Sequence, residues 1–278
     1  VMAYVETGGA VVIEAESHPD LPAGWVTKAT YDRTTAPDLG ALGGRNDFVM
    51  WQGADQSDAP GEAVLTYHVL IETPGLYEFE LRDQPATDRP EVGGDTWVKI
   101  DGARFYGRNG DSTMYPEGAA PGSFPPGSEP LPAADGEDGW MRYQSTNRST
   151  HWGGGGHVND TGQRSDRHDI VVAFETPGLY SIQLAGATPS SHAIGAIGLV
   201  NRDVVTEFSL QGEVSAQAEV ALDSVPAAPA NSDPVARDDT ASTPMGQRVE
   251  VAVKQNDSDA DGDNLTIGII DGPENGTA

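Results

Sequence analysis

The chain has 278 residues, no cysteine and a formal charge of −27, with 43 acidic residues against 16 lysines and arginines. So large an excess of carboxylate repels phosphate groups, and the composition therefore excludes nucleic acid and anionic membrane surfaces as expected partners. No stretch approaches the roughly 20 apolar residues of a membrane-spanning helix, so we expect no membrane insertion.

Short apolar segments bounded by Gly, Pro or Asp predict β-strands along the first two hundred residues. They lie at 10–16, 62–71, 76–82, 96–102, 169–175, 179–186 and 193–201. No segment before residue 200 has a sustained helical period. The pattern predicts an all-β fold, a β-sandwich of two packed antiparallel sheets.

An internal repeat links two of these segments. The strings "IETPGLYEFEL" (71–81) and "FETPGLYSIQL" (174–184) are nearly identical. In each copy a strand ends at Glu-Thr, turns at a Pro-Gly pair and re-enters a strand. We interpret the copies as two equivalent hairpins, one from each half of a single sandwich.

A long stretch between the two copies, from about 105 to 167, is dense in Gly, Pro, Ser and Asp and predicts irregular structure. Stretches of this length in a compact domain are usually functional loops or disordered segments. Its embedded Trp, Tyr and His residues argue against full disorder, because disordered tracts are poor in aromatic residues.

The composition divides the chain into three parts. Residues 1–205 hold the predicted sandwich, and the Ala-, Val- and Pro-rich residues 206–230 predict a linker. Residues 231–278 contain two more strand candidates, 248–254 and 264–270, on either side of an acidic turn. Two strands cannot close a sandwich, so we expect this second domain to be only the start of a repeat.

Four features occur in a fixed order in the first domain: "VVIEAE" (11–16), the paired "PGLY" turns, "DTWVKIDG" (95–102) and "SHAIGAIGLVNRD" (191–203). Together they resemble the galactose-binding-like β-sandwich of family 6 and family 35 carbohydrate-binding modules, over roughly 11–203. The resemblance implies a jelly-roll sandwich that holds a sugar in loops at one end or on a concave face. It also implies a structural calcium ion near the first strand.

The first-strand glutamates of such modules ligate the calcium ion, and here they are Glu14 and Glu16. Residues i and i+2 point to one face of a strand, so both carboxylates can converge on a hard cation, although they could also be unpaired acids at a solvent-facing edge. The last strand of the family usually adds an Asp, where this chain has Gly195. Either that ligand is lost, a neighbour such as Asp20 or Asp203 replaces it, or the site is empty.

An acidic turn near the end of the chain places carboxylates at every second position: Asp257, Asp259, Asp261 and Asp263. Alternate acids with Gly262 at a tight turn match the first half of many calcium loops. Gly268 stands where an EF-hand has its bidentate Glu, so the turn is not an EF-hand, and it could also serve solubility alone. The surrounding segment resembles the Ig-like or bacterial cadherin-like repeats of large secreted adhesins and polysaccharide-degrading enzymes.

Proteins hold sugars by stacking an aromatic ring on the apolar face of the sugar and by hydrogen-bonding its hydroxyls. The candidate ligand-binding residues are Trp152, His151, His157, Asn159 and Trp140 in the long stretch, with Trp51 and Arg45 earlier. Four glycines beside Trp152 allow the backbone to approach a ligand closely. Each Trp could instead pack inward and anchor its loop, and for Trp97, on a predicted strand, packing in the core or a groove is favoured.

Other functions stay open. Catalysis is less favoured, because the chain lacks a G-x-S-x-G elbow, a Cys nucleophile, a phosphate-binding glycine loop and an H-E-x-x-H motif. A transition-metal site at His151 and His157 matches no familiar spacing. A structural spacer or calcium-stiffened adhesin repeat without its own ligand is the third class.

The sequence therefore predicts a non-catalytic carbohydrate-binding module with calcium as its cofactor. We expect it to be secreted or on the cell surface of a bacterium, as a monomeric part of a larger multidomain chain. Its partner is expected to be a glycan, either neutral or bridged by calcium, because so acidic a surface repels an anionic sugar.

Overall fold

The computed structural model describes residues 1–27, 30, 47–85, 94–119, 124–145, 156–159, 167–210, 213–221, 235–244, 246–257 and 268, with the backbone alone at 156–159 and 167. The chain divides into two compact units. The first unit comprises Val1–Ala119 with Gly127–Ala228, and the second comprises Ala120–Pro126 with Pro229–Ala278.

The first unit is built from β-strands, and its described residues contain a single 3-10 turn, at Ala15–Ser17, and no α-helix. In chain order the strands are β1 (Met2–Val5), β2 (Ala10–Glu14), β3 (Trp25–Thr27), β4 (Val49–Trp51), β5 (Leu65–Ile71), β6 (Gly75–Pro85), β7 (Asp95–Asp101), β8 (Arg104–Asn109), β9 (Ser112–Tyr115), β10 (Glu129–Pro130), β11 (Gly136–Glu137), β12 (Trp140–Ser145), β13 (Gly156–Asn159), β14 (Arg167–Phe174), β15 (Gly178–Gly186), β16 (His192–Val200) and β17 (Gln217–Glu219). The all-β prediction is confirmed.

The strands form two layers. The front sheet has the order β17–β1–β5–β15–β7–β12–β11. The back sheet runs from β16 through β6, β14, β8 and β9 to β10, with β2 and β4 along the free edge of β16. Strand β13 pairs with both β12 and β14 and so joins the two sheets at one side. Pairing is antiparallel except at β1–β5 and β9–β10. This is the predicted β-sandwich.

The core lies between the sheets and follows from alternation along the strands. In β5 every second residue is buried, from Leu65 through Tyr67 and Val69 to Ile71, and the residues between them are partly exposed. These side chains pack into one apolar cluster with core residues of the back sheet, such as Phe79. Period-two burial of this kind is expected for strands with one face on a core and one toward solvent.

The repeated Pro-Gly segments turn between the sheets. Strand β5 lies in the front sheet and pairs with β15, whereas β6 lies in the back sheet and pairs with β14. The prediction of two hairpins is therefore wrong, and each copy is an arch between the layers. The copies are locally equivalent, since Tyr77 donates to the Thr73 carbonyl at 2.8 Å and Tyr180 to the Thr176 carbonyl at 2.7 Å.

Two regions expected to be irregular contain strands. The stretch 105–167 holds β8 to β13 among its described residues, so the expectation of a long loop is wrong there. In the predicted linker 206–230, Leu210 is buried, Ser215 Oγ accepts from Val12 N–H at 3.0 Å, and β17 pairs with β1. The first unit thus extends beyond residue 205.

The second unit has little regular structure in its described residues. Residues 246–257 form no strand, so the strand predicted at 248–254 is absent, and apart from Gly268 the segment 264–270 lies outside the described residues. Arg237 N–H donates to the Asp257 carboxylate at 2.7 Å. No helix in the described part of the chain is long and apolar enough to cross a membrane.

Candidate functional site

The predicted sugar ligands fall into three groups. Outside the described residues lie Arg45, His151 and Trp152. On β13, where the backbone alone is described, lie His157 and Asn159. The side chains of Trp51 and Trp140 are described, and the structure gives them different surroundings.

Trp51 is part of the core. Its side chain is 6% exposed, its ring meets Trp25 edge to face at 5.7 Å, and its Nε1 donates to the Ala54 carbonyl at 2.8 Å. A Cβ at Gly53 or Gly186 would lie only 2.1 or 2.2 Å from a ring atom, so these glycines leave the room that the indole fills. The structure therefore gives Trp51 a packing role, and its ring presents little surface to a sugar.

Trp140 is partly exposed on the outer face of the front sheet, at the start of β12. It packs against a small cluster that includes Trp97 and Ala185. Trp97 itself is fully buried and its Nε1 donates to the Gln56 carbonyl at 2.8 Å, which is the packing role favoured from the sequence. Trp140 is therefore a partly exposed ring that packs against buried side chains.

Strand register brings polar side chains into line beside Trp140. Lys99 on β7 pairs with Gln183 on β15, and Gln183 pairs with Thr66 on β5. Trp140 lies one position beyond the pair of Met141 with Val98 and so continues this row, and its partner on the other side is Glu137 on β11. The binding face, as we name it, consists of Thr66, His68, Lys99, Asp101, Trp140 and Gln183, all partly exposed.

The polar groups of the binding face are partly linked to one another. Gln183 Nε2 donates to Asp101 Oδ2 at 2.7 Å, and Lys99 Nζ lies 3.7 Å from Asp101 Oδ1. Burial lowers the pKa of His68, so its imidazole is neutral at pH 7. The face thus offers hydrogen-bond donors and acceptors, and its one ammonium is paired with Asp101, while the Glu137 carboxylate lies next to Trp140 in the register.

A buried polar cluster lies at one end of the sandwich, where β6 ends and β16 begins. Asp83 Oδ2 accepts from Tyr143 Oη and is paired with His192 Nε2, both at 2.9 Å. His192 Nδ1 lies 2.8 Å from Thr96 Oγ1, and the His192 ring stacks on Tyr143 at 5.6 Å. Burial, with the charge of Asp83, raises the pKa of Tyr143 well above its usual value, so the phenol stays protonated.

Asp95 ties this end of the sandwich to the binding face. It is 3% exposed and accepts from Arg142 Nε at 2.9 Å, from Thr188 Oγ1 at 3.2 Å and from Ser191 Oγ at 3.3 Å. Arg142 lies two residues from Trp140 on β12 and is 20% exposed. The carboxylate therefore holds the guanidinium in place at the margin of the binding face.

Sequence reasoning missed this cluster, although alternation contained a signal for part of it. Along β6 the buried positions are Tyr77, Phe79 and Leu81, and the next position of the same parity is Asp83. A carboxylate at an inward position needs a hydrogen-bonding partner. Its partner His192 is 109 residues away, and no local pattern identifies it.

The predicted calcium ligands Glu14 and Glu16 lie near a cation that belongs to the protein. Arg82 Nη2 contacts Glu14 Oε2 at 3.1 Å, and both side chains are largely buried. Burial raises the pKa of Glu16, and the charges of Glu14 and Asp47 raise it further. Among the described residues, no group of three or more His, Cys, Asp or Glu side chains is arranged to hold a metal.

The two suggested replacement ligands are engaged through their backbones in local turns. The Asp20 N–H donates to His18 Nδ1 at 3.3 Å, and the Asp203 N–H donates to Asn201 Oδ1 at 3.0 Å. Of the acidic turn in the second unit, only Asp257 is described, and the rest lies outside the described residues: Asp259, Asp261 and Asp263. Calcium at either place stays a prediction.

Comparison with known proteins bears on the end of the chain. No curated protein matches the sequence. Residues 231–278 match the family model described as a bacterial Ig domain. That match confirms the Ig-like part of the predicted resemblance, and it begins at the residue where the second domain was expected to start. The C-terminal segment is therefore similar to bacterial Ig domains.

Proposed function

We propose that the first unit is a non-catalytic carbohydrate-binding module that holds a glycan on the binding face. The observation that carries the proposal is the row of Trp140, Lys99, Gln183 and Thr66 across four neighbouring strands. Strands lie about 4.8 Å apart, so the row extends about 15 Å, which is long enough for more than one sugar ring.

The chemistry of the row suits a sugar. Trp140 supplies an apolar ring for the C–H face of a pyranose, and a tryptophan can combine this with a polar edge. Gln183 and Lys99 supply donors, and Asp101 supplies acceptors, for the hydroxyls around the ring. Because Trp97 and Asp95 hold Trp140 and Arg142 from below, little side-chain ordering remains to oppose binding.

Charge favours a neutral glycan. Lys99 and Asp101 pair with each other on the binding face, Glu137 adds a carboxylate beside Trp140, and the chain as a whole carries −27. An anionic polysaccharide would meet that charge at long range, and the ammonium of Lys99 on the binding face is already paired with Asp101. A neutral sugar meets no such barrier.

The buried polar cluster supports a binding role over a catalytic one. Asp83, Tyr143 and His192 are at most 3% exposed, so a polymer has no access to them. Catalysis requires acid and base groups within hydrogen-bonding reach of the reacting atoms. We therefore assign these three residues to the fixing of the sandwich end.

The similarity of 231–278 to bacterial Ig domains supports a place in a multidomain bacterial protein, secreted or on the cell surface. We propose that the acidic turn from Asp257 to Asp263 binds calcium there, because its alternate carboxylates supply the oxygen ligands that calcium prefers. Chelation should then lower the stability of the second unit and leave glycan binding by the first unit unchanged.

The test is a glycan-array screen of the full chain with calcium and with a chelator, followed by titration of the best sugar. Trp140→Ala should weaken binding about tenfold or more, because stacking and aromatic area are lost together. The matched control is Phe208→Ala, which removes an aromatic ring at the opposite sheet and should leave affinity unchanged. If no sugar binds, or if both variants bind alike, the proposal is wrong and a structural spacer is the better account.

A further inference from the structure

A buried ion pair occupies the corner where β2 ends and the 3-10 turn begins. Arg82 projects from β6 into this corner and contacts Glu14, with its side chain 4% exposed. Burial raises the pKa of Glu16, two residues on; the charges of Glu14 and Asp47 raise it further, and the charge of Arg82 lowers it. Glu14 is therefore paired directly with the guanidinium, and Glu16 interacts with it through its charge.

Gly195 on β16 lines the same corner. A Cβ at this position would lie 2.8 Å from Arg82 Nη2, 3.0 Å from Arg82 Nε and 3.2 Å from the Asp47 carbonyl oxygen. The space into which a side chain at 195 would project is therefore filled by the guanidinium. A carboxylate at 195 and Arg82 in its present position cannot coexist without a shift.

The residues of this corner fit calcium poorly. Calcium takes six to eight oxygen ligands, and here one carboxylate is already bonded to Arg82 while the third ligand position is a glycine. One observation points the other way, since Glu16 Oε2 is buried without a hydrogen-bond partner. A divalent ion at that oxygen would, however, be repelled by the positive charge of Arg82, which already acts on Glu16.

We propose that the Arg82 guanidinium is the built-in cation of this corner, balancing Glu14 and Glu16, so that the sandwich folds without a divalent metal there. Arg82 depends on Gly195, because the glycine leaves the space that the guanidinium fills. The inference does not depend on glycan binding.

The consequence is that the stability of this corner does not depend on the calcium concentration of the medium. A guanidinium stays protonated throughout the range in which proteins are stable, and its planar donors suit carboxylates. A covalently attached cation is present at any calcium concentration, whereas a bound ion stabilises only in proportion to its occupancy. A first unit built in this way keeps its fold when calcium is scarce.

Tryptophan fluorescence tests the proposal in the full chain. All five tryptophans precede residue 153, so their signal follows the first unit and not the Ig-like segment. The midpoint of thermal unfolding should be the same in calcium chloride and in chelator. A rise of several degrees with calcium that disappears in Glu14→Gln/Glu16→Gln would overturn the proposal.

Calcium titration by calorimetry provides a second readout. The wild-type chain and Glu14→Gln/Glu16→Gln should bind the same number of calcium ions, and loss of one ion in the variant would contradict the inference. The converse variant, Arg82→Ala/Gly195→Asp, removes the guanidinium and adds a third carboxylate. It should bind one calcium ion more than the wild type, and that ion should be lost when Glu16→Gln is added.

Discussion

The outer faces of the two sheets differ in how their polar groups are used. On the back sheet, Arg202 forms ion pairs with Glu78 at 2.6 Å and with Glu80 at 2.5 Å, so these charged side chains are bound to one another. On the front sheet, Trp140 is partly exposed and Gln183 lies beside it in the same row. The difference indicates which surface is built for stability and which is open to a ligand.

The back sheet is also covered by its own chain. All nine residues of β16 are buried, although a strand with one face toward solvent should alternate. The chain covers this strand at two places: Phe48 and Met50 pack with Ala193, and a Cβ at Gly198 would lie 2.4 Å from Leu210 and 3.0 Å from the Phe208 ring. On the front sheet the turn at Asp138 and Gly139 contacts Lys99, and both Lys99 and Gln183 stay partly exposed.

The largest expected effect comes from removing the cover of the back sheet. Gly198→Val places a side chain where Leu210 and Phe208 pack, and overpacking of this kind costs about 2 kcal/mol of unfolding free energy. Leu210→Ala should cost a similar amount. If the two residues compete for one space, the double variant is more stable than the sum predicts, as chemical denaturation can measure. Strictly additive effects would contradict the packing described.

On the front sheet, Gln183→Ala should weaken glycan binding about threefold, because it removes one amide from the row and leaves the Asp101 carboxylate without that donor. The melting temperature should hardly change, since the side chain is partly exposed. Gln217→Ala, an exposed glutamine on β17, is the matched control. A loss of stability without a loss of affinity would place Gln183 among the structural residues.

The corresponding change on the back sheet should have little effect. Arg202→Gln breaks both ion pairs, but the arginine side chain is 40% exposed, so solvent screening limits the cost to about 0.5 kcal/mol. Glycan affinity should be unchanged. A clear drop in affinity would move the binding surface to the back sheet.

The smallest effect concerns pH. Burial raises the pKa of Glu80 above its ordinary value of 4.5, although Arg202 acts against this shift. A carboxyl with a raised pKa in the folded state favours folding most when protonated, so its contribution is lost as pH rises through the folded pKa. Lowering the pH from 7 to about 4 should therefore stabilise the wild type relative to Glu80→Gln. A constant difference between their melting temperatures would contradict the shift.

Strand positions could be predicted from sequence because burial and alternation are local. The predicted segment 179–186 begins one residue after β15 does, and the predicted segment 193–201 is shifted by one residue relative to β16. The strand pairing on either side of the Pro-Gly arches could not be predicted from sequence. A turn has the same local sequence whether the chain stays in one sheet or crosses to the other. Only the register of β5 with β15 decides between them.

For the candidate site, too, local features could be predicted from sequence and long-range neighbours could not. Trp140 was identified as an aromatic in a polar stretch, and its neighbours Lys99 and Gln183 could have been found from the outward parity of their strands. The order of the strands in the sheet could not be predicted from sequence. Arg82 and Gly195 are more than a hundred residues apart, and their relation is visible only where β6 pairs with β16.

The pairing of β1 with β17 has a mechanical consequence. The first strand of this unit begins at Met2 and its last strand ends at Glu219, and these two residues are partners in an antiparallel register at the edge of the front sheet. Tension applied through both ends of the unit therefore pulls the two strands apart from one end, breaking one hydrogen bond at a time. Under load the front sheet opens first, starting from its edge strands β17 and β1. The arches and the back sheet are reached only after these strands have separated.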